Sequence, residues 1–312
     1  MAMDRLVSFT TLKNHILSYG YGRWNIGFIE NVLQSVLSGD EIHFHWMRHH
    51  IRGSWFADPF VLEVTDNEII LLAEEFVIKE WKGRISKLFV DKNTYQLNRH
   101  EVVLDLPYHL SFPIIRRDDN NVYIYPESLA SGTLNEYKLS LHGADINHSR
   151  VICRASIVDA VIAQFQGISF IFATSLPSLN GNKLDIFKIG DGQINKLQTV
   201  TFEENIARNA GDLFTFQGKT YRPAQECNQQ YGQAVVIQEM NMGKNGFTFK
   251  DVRRIYTSHP ILNRGTHTFN IYKDVIVTDT WGDNHEWILW IFQKGQLIKQ
   301  LLRKVKTKWY QS

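Results

Sequence analysis

Apolar and polar positions alternate along most of this chain in short runs separated by polar turns. Residues 55–76 (WFADPFVLEVTDNEIILLAEEF) set the pattern: an acidic turn at Ala57-Asp58-Pro59 opens an apolar run over 60–64. A polar turn at Thr65-Asp66-Asn67 reverses it, and a second apolar run over 69–73 ends on Glu74-Glu75. Such a unit predicts a β-hairpin with carboxylates at one end of both strands. Alternation then puts only one of Glu74 and Glu75 on the side of the first-strand turn.

Looser copies recur near Phe112, Asp159, Asp212 and His267, as FPIIRRDDNNVYIYPES, DAVIAQFQGISFIFATS, DLFTFQGKTYRPAQE and HTFNIYKDVIVTDTWGD. Their spacing of roughly 50 residues leaves room for a second hairpin after each first, and four strands per repeat is the arithmetic of a propeller blade. The expected fold is all-β: a five-bladed β-propeller with four-stranded blades and short N-terminal helical elements. A β-sandwich would not need polar residues at the same phase of each repeat. Residues 12–17 and 28–37 show helical spacing, whereas 41–46 (EIHFHW) alternates as a strand that could pair with the last blade if the ring closes. The expected organisation is an N-terminal helical and closing segment over 1–50, the propeller over 51–290 and a basic tail over 291–312.

With 312 residues, 44% hydrophobic, 21% charged and a formal net charge of +2, the chain lacks the basic excess of a nucleic-acid binder. Cys153 and Cys227 fall in different repeats and read as reduced thiols. No signal peptide or long apolar span is evident, so a cytoplasmic location is expected. The tail, with Lys299, Arg303, Lys304, Lys306 and Lys308 beside Trp309 and Tyr310, is either a solvated terminus or a peripheral contact with an anionic inner membrane face.

Asp58 and Asp159 share one phase of the repeat, at the channel end of an innermost strand, where paired carboxylates suit glycosidic chemistry. Each could equally cap its turn. Glu127, closing the second strand of repeat two, is the preferred proton donor, with a structural ion pair as its other reading. Arg208, Arg222, Arg264, His267 and His109 sit at the corresponding turns. There they either bind an anionic ligand such as a nucleotide-sugar or neutralise Asp58, Asp159, Asp212 and Glu226. Trp55, Tyr108, Tyr221 and Trp281 flank the same turns and could stack on a sugar. The histidines of HFHWMRHH are explained by strand alternation rather than a metal cluster, and Gly190-Asp191-Gly192 lacks the context of a phosphate loop. Neither a metal nor a cofactor is expected.

At ADPF, YHLSFP, YPES, VDA, RNAG, YRPAQEC and GTHTFN the chain resembles the five-bladed propeller domain at the N-terminus of plant glucosamine inositolphosphorylceramide transferase and in bacterial proteins of surface-polysaccharide clusters. That group is itself similar to glycoside hydrolase family 43. The resemblance runs from about Trp24 to Asp283 and implies Asp58 as general base and Asp159 as the orienting carboxylate. In the fourth blade, where the hydrolases carry a general-acid Glu, this chain has Arg208 and Asn209, unless Glu127 or Glu226 supplies the acid from elsewhere. Three activities follow as expectations: glycosyl transfer from an anionic activated sugar in surface-glycan or glycolipid assembly, inverting hydrolysis with Glu127 as a relocated acid, or glycan binding without turnover.

Overall fold

The computed structural model describes residues 23–118, 121–139, 146–190 and 193–282, with 146–148 as backbone only. The expected helical spacing over 12–17 and the basic tail lie outside these residues. The described chain forms five four-stranded antiparallel sheets arranged as a five-bladed β-propeller. Blade one holds β3 (Ser54–Val64), β4 (Glu68–Val77), β5 (Lys82–Asp91) and β6 (Leu97–Leu104). Blade two holds β7 (Ser111–Arg117), β8 (Val122–Glu127), β9 (Leu134–Leu139) and β10 (Ile146–Cys153). Blade three holds β11 (Ile157–Phe165), β12 (Ile168–Ser175), β13 (Lys183–Gly190) and β14 (Gln193–Thr201). Blade four holds β15 (Phe214–Phe216), β16 (Lys219–Glu226), β17 (Ala234–Gly243) and β18 (Gly246–Ile255).

Blade five is built from both halves of the chain. Its inner strands are β19 (Phe269–Tyr272) and β20 (Val275–Gly282), and its outer strands are β1 (Arg23–Ile29) and β2 (Phe44–Trp46). Strand β1 pairs with β20 from Arg23↔Gly282 to Ile29↔Ile276. The helical spacing over 28–37 therefore splits: Phe28 and Ile29 finish a strand, and only α1 (Leu33–Ser38) is helical, closed by Gly39 in a left-handed conformation at φ 98°. The alternating 41–46 segment supplies β2, paired to β1 in the last blade.

Blades pack through apolar faces. Buried Phe60, Phe112, Phe170, Phe172 and Phe247 belong to the largest cluster, and Phe56, Leu71 and Leu88 centre a second one. Burying such side chains drives assembly, at roughly 2–3 kcal/mol for each large one.

The first strands of blades one to three share one irregularity. Asp58, Phe112 and Asp159 each have positive φ, at 50°, 45° and 47°. Each lies in a β-bulge, between Ala57 and Phe60, Ser111 and Ile114, and Val158 and Val161. The preceding residue pairs with the second strand as Ala57↔Glu74, Ser111↔Glu127 and Val158↔Thr174. A bulge re-aims side chains at the cost of local strain, and here the same device recurs at the same radius of the ring.

Two consecutive arginines at the far end of β7 brace the opposite end of the channel. Arg116 donates to the Ile162 carbonyl of blade three at 2.8 Å and to Asp212, just before blade four, at 2.9 Å. Arg117 donates to the carbonyls of Val61 and Leu62 in blade one at 2.7 and 2.8 Å, and its guanidinium lies 4.0 Å from the Tyr272 ring of blade five. Blade two thereby reaches blades one, three and five, and the segment leading into blade four, through two side chains.

Candidate active site

The bulges and the second-strand positions opposite them turn carboxylates inward at one end of the channel. Asp58, Glu74, Glu127, Asp159 and Asp279 are all buried there, each 9% exposed or less. Hydrogen bonds across blades tie Asp58 to its neighbours. The backbone N–H of Phe112 donates to Asp58 Oδ2 at 3.0 Å, and the backbone N–H of Asp58 donates to Asp279 Oδ2 at 3.2 Å. His267, only 3% exposed, stands between the two acids: Nδ1 lies 2.7 Å from Asp279 Oδ2 and Nε2 3.5 Å from Asp58 Oδ1. Burial pulls its pKa down, but Asp279 and then Asp58 outweigh that effect and hold it above the ordinary value. The ring bridges the carboxylates as an imidazolium.

The carboxylates divide by charge state. Asp279 is ionised, because the His267 charge and the N–H donors aimed at it overcome the cost of burial. Asp159 is paired: Arg208 Nε donates to its Oδ2 at 2.5 Å and Gln225 Nε2 at 2.8 Å. Burial, with Asp159 and Asp279 nearby, pushes Asp58 up to about 7 against the pull of His267 and the Phe112 N–H. Glu74 is held well above the carboxylate range by burial first, then by Asp58, Glu127, Asp279 and Asp159. Glu127 is raised by burial and Asp159, only partly offset by the Leu129 N–H at 2.7 Å and the Ser111 hydroxyl at 3.1 Å. The cluster thus sets Glu74, whose proton is strongly held, beside a carboxyl poised near neutral pH to gain or lose its own.

Glu74 is the functional candidate that sequence alternation left undecided. Register settles it: Glu74 takes the same second-strand position in blade one as Glu127 does in blade two. Glu75 turns into the blade, where Ser54, Arg84 and Ser86 donate to it at 2.6–3.1 Å. Asp279, also not singled out from the sequence, stands in the second strand of the fifth repeat, and that shared position was the available signal.

The other expected residues are dispersed. Arg208 reaches the cluster but is committed to Asp159 and, at 2.8 Å, to Asn180 Oδ1. Arg222, expected to bind an anionic donor, is wholly buried inside blade four. It donates to Asn209 Oδ1 at 2.7 Å, to Gln238 Oε1 at 2.6 Å and to the Ala207 carbonyl, and burial lowers its pKa to about 9. Its reach to the site is indirect, since Asn209 Nδ2 donates to the carbonyl of Asp159 at 2.7 Å. Glu226 is buried on Arg254 Nη1 and Asn228 Nδ2, both at 3.1 Å. His109 sits at the edge of the cluster with its side chain 44% exposed and its pKa lowered by burial and by Arg208. It is neutral rather than the expected cation.

An aromatic rim closes the blade-five side. Trp24, the cross-strand partner of Trp281, stacks on His267 at 4.0 Å and on Trp281 at 5.8 Å. Tyr231 meets Trp24 edge-on at 6.2 Å and lies 5.1 Å from the Arg208 guanidinium. Exposed Arg264 is 6.0 Å from the Trp281 ring. Trp55 instead stacks on Phe76 and Tyr221 on Phe214, both within their blades.

Ligand atoms of Asp58, His267 and Asp279 lie within 4.8 Å of one another, the group among the described residues able to hold a metal ion. Two carboxylates and an imidazole suit a divalent cation, which would have to displace the proton that His267 holds between them. The histidines of the HFHWMRHH segment do not form such a group; His45 instead faces Glu30 at 3.2 Å.

A family model for glucosamine inositolphosphorylceramide transferase 1, N-terminal, matches residues 46–270. The chain is similar to the glucosamine inositolphosphorylceramide transferase 1 of Oryza sativa subsp. japonica, 26% identical over 197 residues, covering 59% of this chain and 26% of the rice protein. It is 27% identical over 150 residues to that of Arabidopsis thaliana, covering 45% of this chain and 20% of the relative. The chain thus spans about a quarter of the length of the curated relatives it matches. Among solved structures it is similar to a GH43 β-xylosidase/α-arabinofuranosidase from a compost microbial metagenome, in complex with xylotriose, calcium-free form. That likeness has a TM-score of 0.50 at 12% identity and covers 73% of this chain and 84% of the other.

Proposed function

This chain belongs to the family of glucosamine inositolphosphorylceramide transferase 1 N-terminal domains, and from that premise we propose that it is a carbohydrate-active domain that makes or breaks a glycosidic bond at the carboxylate cluster. The observation that carries this reading is the neighbourhood of Asp58 and Glu74: Asp58 follows Ala57, whose partner across the sheet is Glu74. Burial places their proton affinities on the two sides needed for acid–base work. A base works best with a pKa near the operating pH, and an acid must still hold its proton there.

In this scheme a sugar lies against the Trp24 and Trp281 rim. Asp58 takes the proton of the attacking hydroxyl, and Glu74 gives its proton to the departing oxygen. Asp159, held in place by Arg208 and Gln225, orients the sugar beside its anomeric carbon. Glu127 is the reserve acid. Arg208 and Asn209 replace a fourth-blade acid because they hold Asp159, by its carboxylate and its backbone. With Arg208 and Arg222 already occupied, the cluster favours a leaving group that needs a proton over an anionic one that needs cations. Glycosyl transfer to a hydroxyl acceptor is the reaction we assign, with water as the competing acceptor.

A second reading, glycan binding without turnover, draws on the burial of Asp58, 4% exposed with Oδ2 accepting the Phe112 N–H and Oδ1 facing His267. One assay separates the two: a panel of oligosaccharides and nucleotide-sugars, with and without hydroxyl acceptors, incubated with wild type, Asp58→Asn and Glu74→Gln. The enzyme reading expects turnover by wild type that both variants lose. Binding with no turnover, or full activity in Asp58→Asn, would overturn it.

A further inference from the structure

Glu74 has a dedicated neighbour that the acid–base scheme does not explain. Its Oε1 is buried and makes no hydrogen bond among the described residues, and His109 Nε2 approaches it to 3.4 Å. The other ring nitrogen is spoken for: the backbone N–H of Gly83 donates to His109 Nδ1 at 3.0 Å. A nitrogen that accepts an N–H carries no hydrogen, so the neutral ring must hold its proton on Nε2, the atom facing Glu74.

The geometry is built around the absence of a side chain at residue 83. A Cβ there would stand 2.6 Å from Glu74 Oε1, 2.6 Å from the Leu110 carbonyl and 2.8 Å from His109 Cε1. Leu110 N–H donates back to the Gly83 carbonyl at 3.0 Å, which pins the loop carrying His109 onto strand β5. Glycine thus lets three groups converge where any other residue would separate them.

We infer that His109 is a positioning residue, locked as the neutral Nε2–H tautomer, which turns Glu74 so that Oε1 faces the imidazole and the acidic proton sits on Oε2. This rests on the assignment of Glu74 as acid and deepens it. When Glu74 gives its proton away, the loose 3.4 Å contact becomes a charge-assisted hydrogen bond to the new carboxylate, an interaction available to the product state and absent before. The proton moves from Glu74 Oε2 to the departing oxygen; His109 keeps its own throughout. Charged and titratable neighbours are few: Asp58, Glu127, Asp159 and Asp279 face Glu74, while Arg208 and Glu74 face His109.

The test is nitrogen-detected NMR of the imidazoles in wild type and Glu74→Gln, joined to kinetics of His109→Ala. His109 should remain a neutral Nε2–H tautomer across the range where an ordinary histidine titrates, and its Nε2–H resonance should move on Glu74→Gln while the tautomer stays. His109→Ala should lower kcat roughly tenfold with little change in KM, and shift the alkaline limb of the pH profile, which reports Glu74, to higher pH. The inference is overturned if His109 titrates as a free imidazole, or if its Nε2–H signal ignores Glu74→Gln. Because both NMR arms need no substrate, a domain that proves catalytically inert would sink the acid–base reading and leave the tautomer lock standing or falling on its own evidence. Should His109→Ala fail to fold, those two arms still decide.

Discussion

Asp58 donates its backbone N–H to Asp279 Oδ2 at 3.2 Å, so the ionised carboxylate of the fifth blade is held by the backbone of the first. The same atom lies 2.7 Å from His267 Nδ1. Asp279 therefore fixes both the base candidate and the imidazolium that moderates its charge, and the pH response of the whole site follows from this junction.

Asp58→Asn should change how stability varies with pH. A carboxyl whose folded pKa of about 7 exceeds its unfolded value of 3.8 binds its proton more tightly when folded, so it favours folding at low pH. That advantage is lost as pH rises from about 4 to about 7. His267, also raised, loses its contribution as pH climbs past its folded pKa. Thermal melts across this range should show wild type falling relative to Asp58→Asn, whose amide can still accept the Phe112 N–H. Parallel curves would remove the raised pKa from Asp58.

Glu74→Gln and Glu75→Gln should part company. Glu74→Gln should abolish turnover and raise stability at neutral pH, because a carboxyl held protonated when folded but ionised above 4.5 when unfolded opposes folding there, and the amide does not. Glu75→Gln should cost about 2 kcal/mol by taking from Arg84 the nearer of its two carboxylates, leaving Asp105 at 3.5 Å, with no selective effect on chemistry. For Glu75 the hydrogen bonds of Arg84, Ser86 and Ser54 outweigh burial and depress the folded pKa. Its contribution is present above the unfolded value of 4.5 and is lost as pH falls through the folded one. Denaturant melts and activity assays on the two variants check both halves.

Arg222→Met should destabilise the domain by roughly 3–5 kcal/mol, since it strips partners from buried Asn209, Gln238 and the carbonyl of Ala207. Ligand affinity measured on the folded fraction should be unchanged. A specific loss of binding at full stability would return Arg222 to the binding site.

Arg116→Ala should cost about 1–3 kcal/mol by releasing Asp212 and the Ile162 carbonyl together. Arg117→Ala breaks contacts to different blades, but the two arginines adjoin and both act on Asp212, so the double variant should depart from the sum of the singles. Chemical denaturation of all three measures this, and strict additivity would show that the two arginines act independently.

The repeat and its blade count were legible because Asp58, Phe112 and Asp159 occupy equivalent bulges and carry polar turns at one phase. The same bulges hid Glu74. Alternation along 69–75 says that one of two neighbours faces inward, but which one depends on the offset between Ala57 and Phe60. Arg222 misleads for a different reason: strand position shows that a side chain leaves the sheet, not whether neighbouring rings cover it. Phe202, just after blade three, and Phe249, on β18 of the same blade, cover it at 5.8 and 5.6 Å. The first strand was blurred into a helix because Phe28, Ile29, Val32 and Leu33 satisfy helical spacing across a strand end and a turn alike.

The pairing of β1 with β20 also sets the order in which this protein can be made. Chains emerge from the ribosome at about 5–20 residues per second, so strand Arg23–Ile29 leaves the tunnel roughly ten to fifty seconds before Val275–Gly282 can meet it. Until then the first strand is an unsatisfied edge, and Asp58 lacks both His267 and Asp279. The proton chemistry of the site is therefore absent from a nascent chain whose last described strand has not yet emerged, and switches on only when that strand is captured by the first.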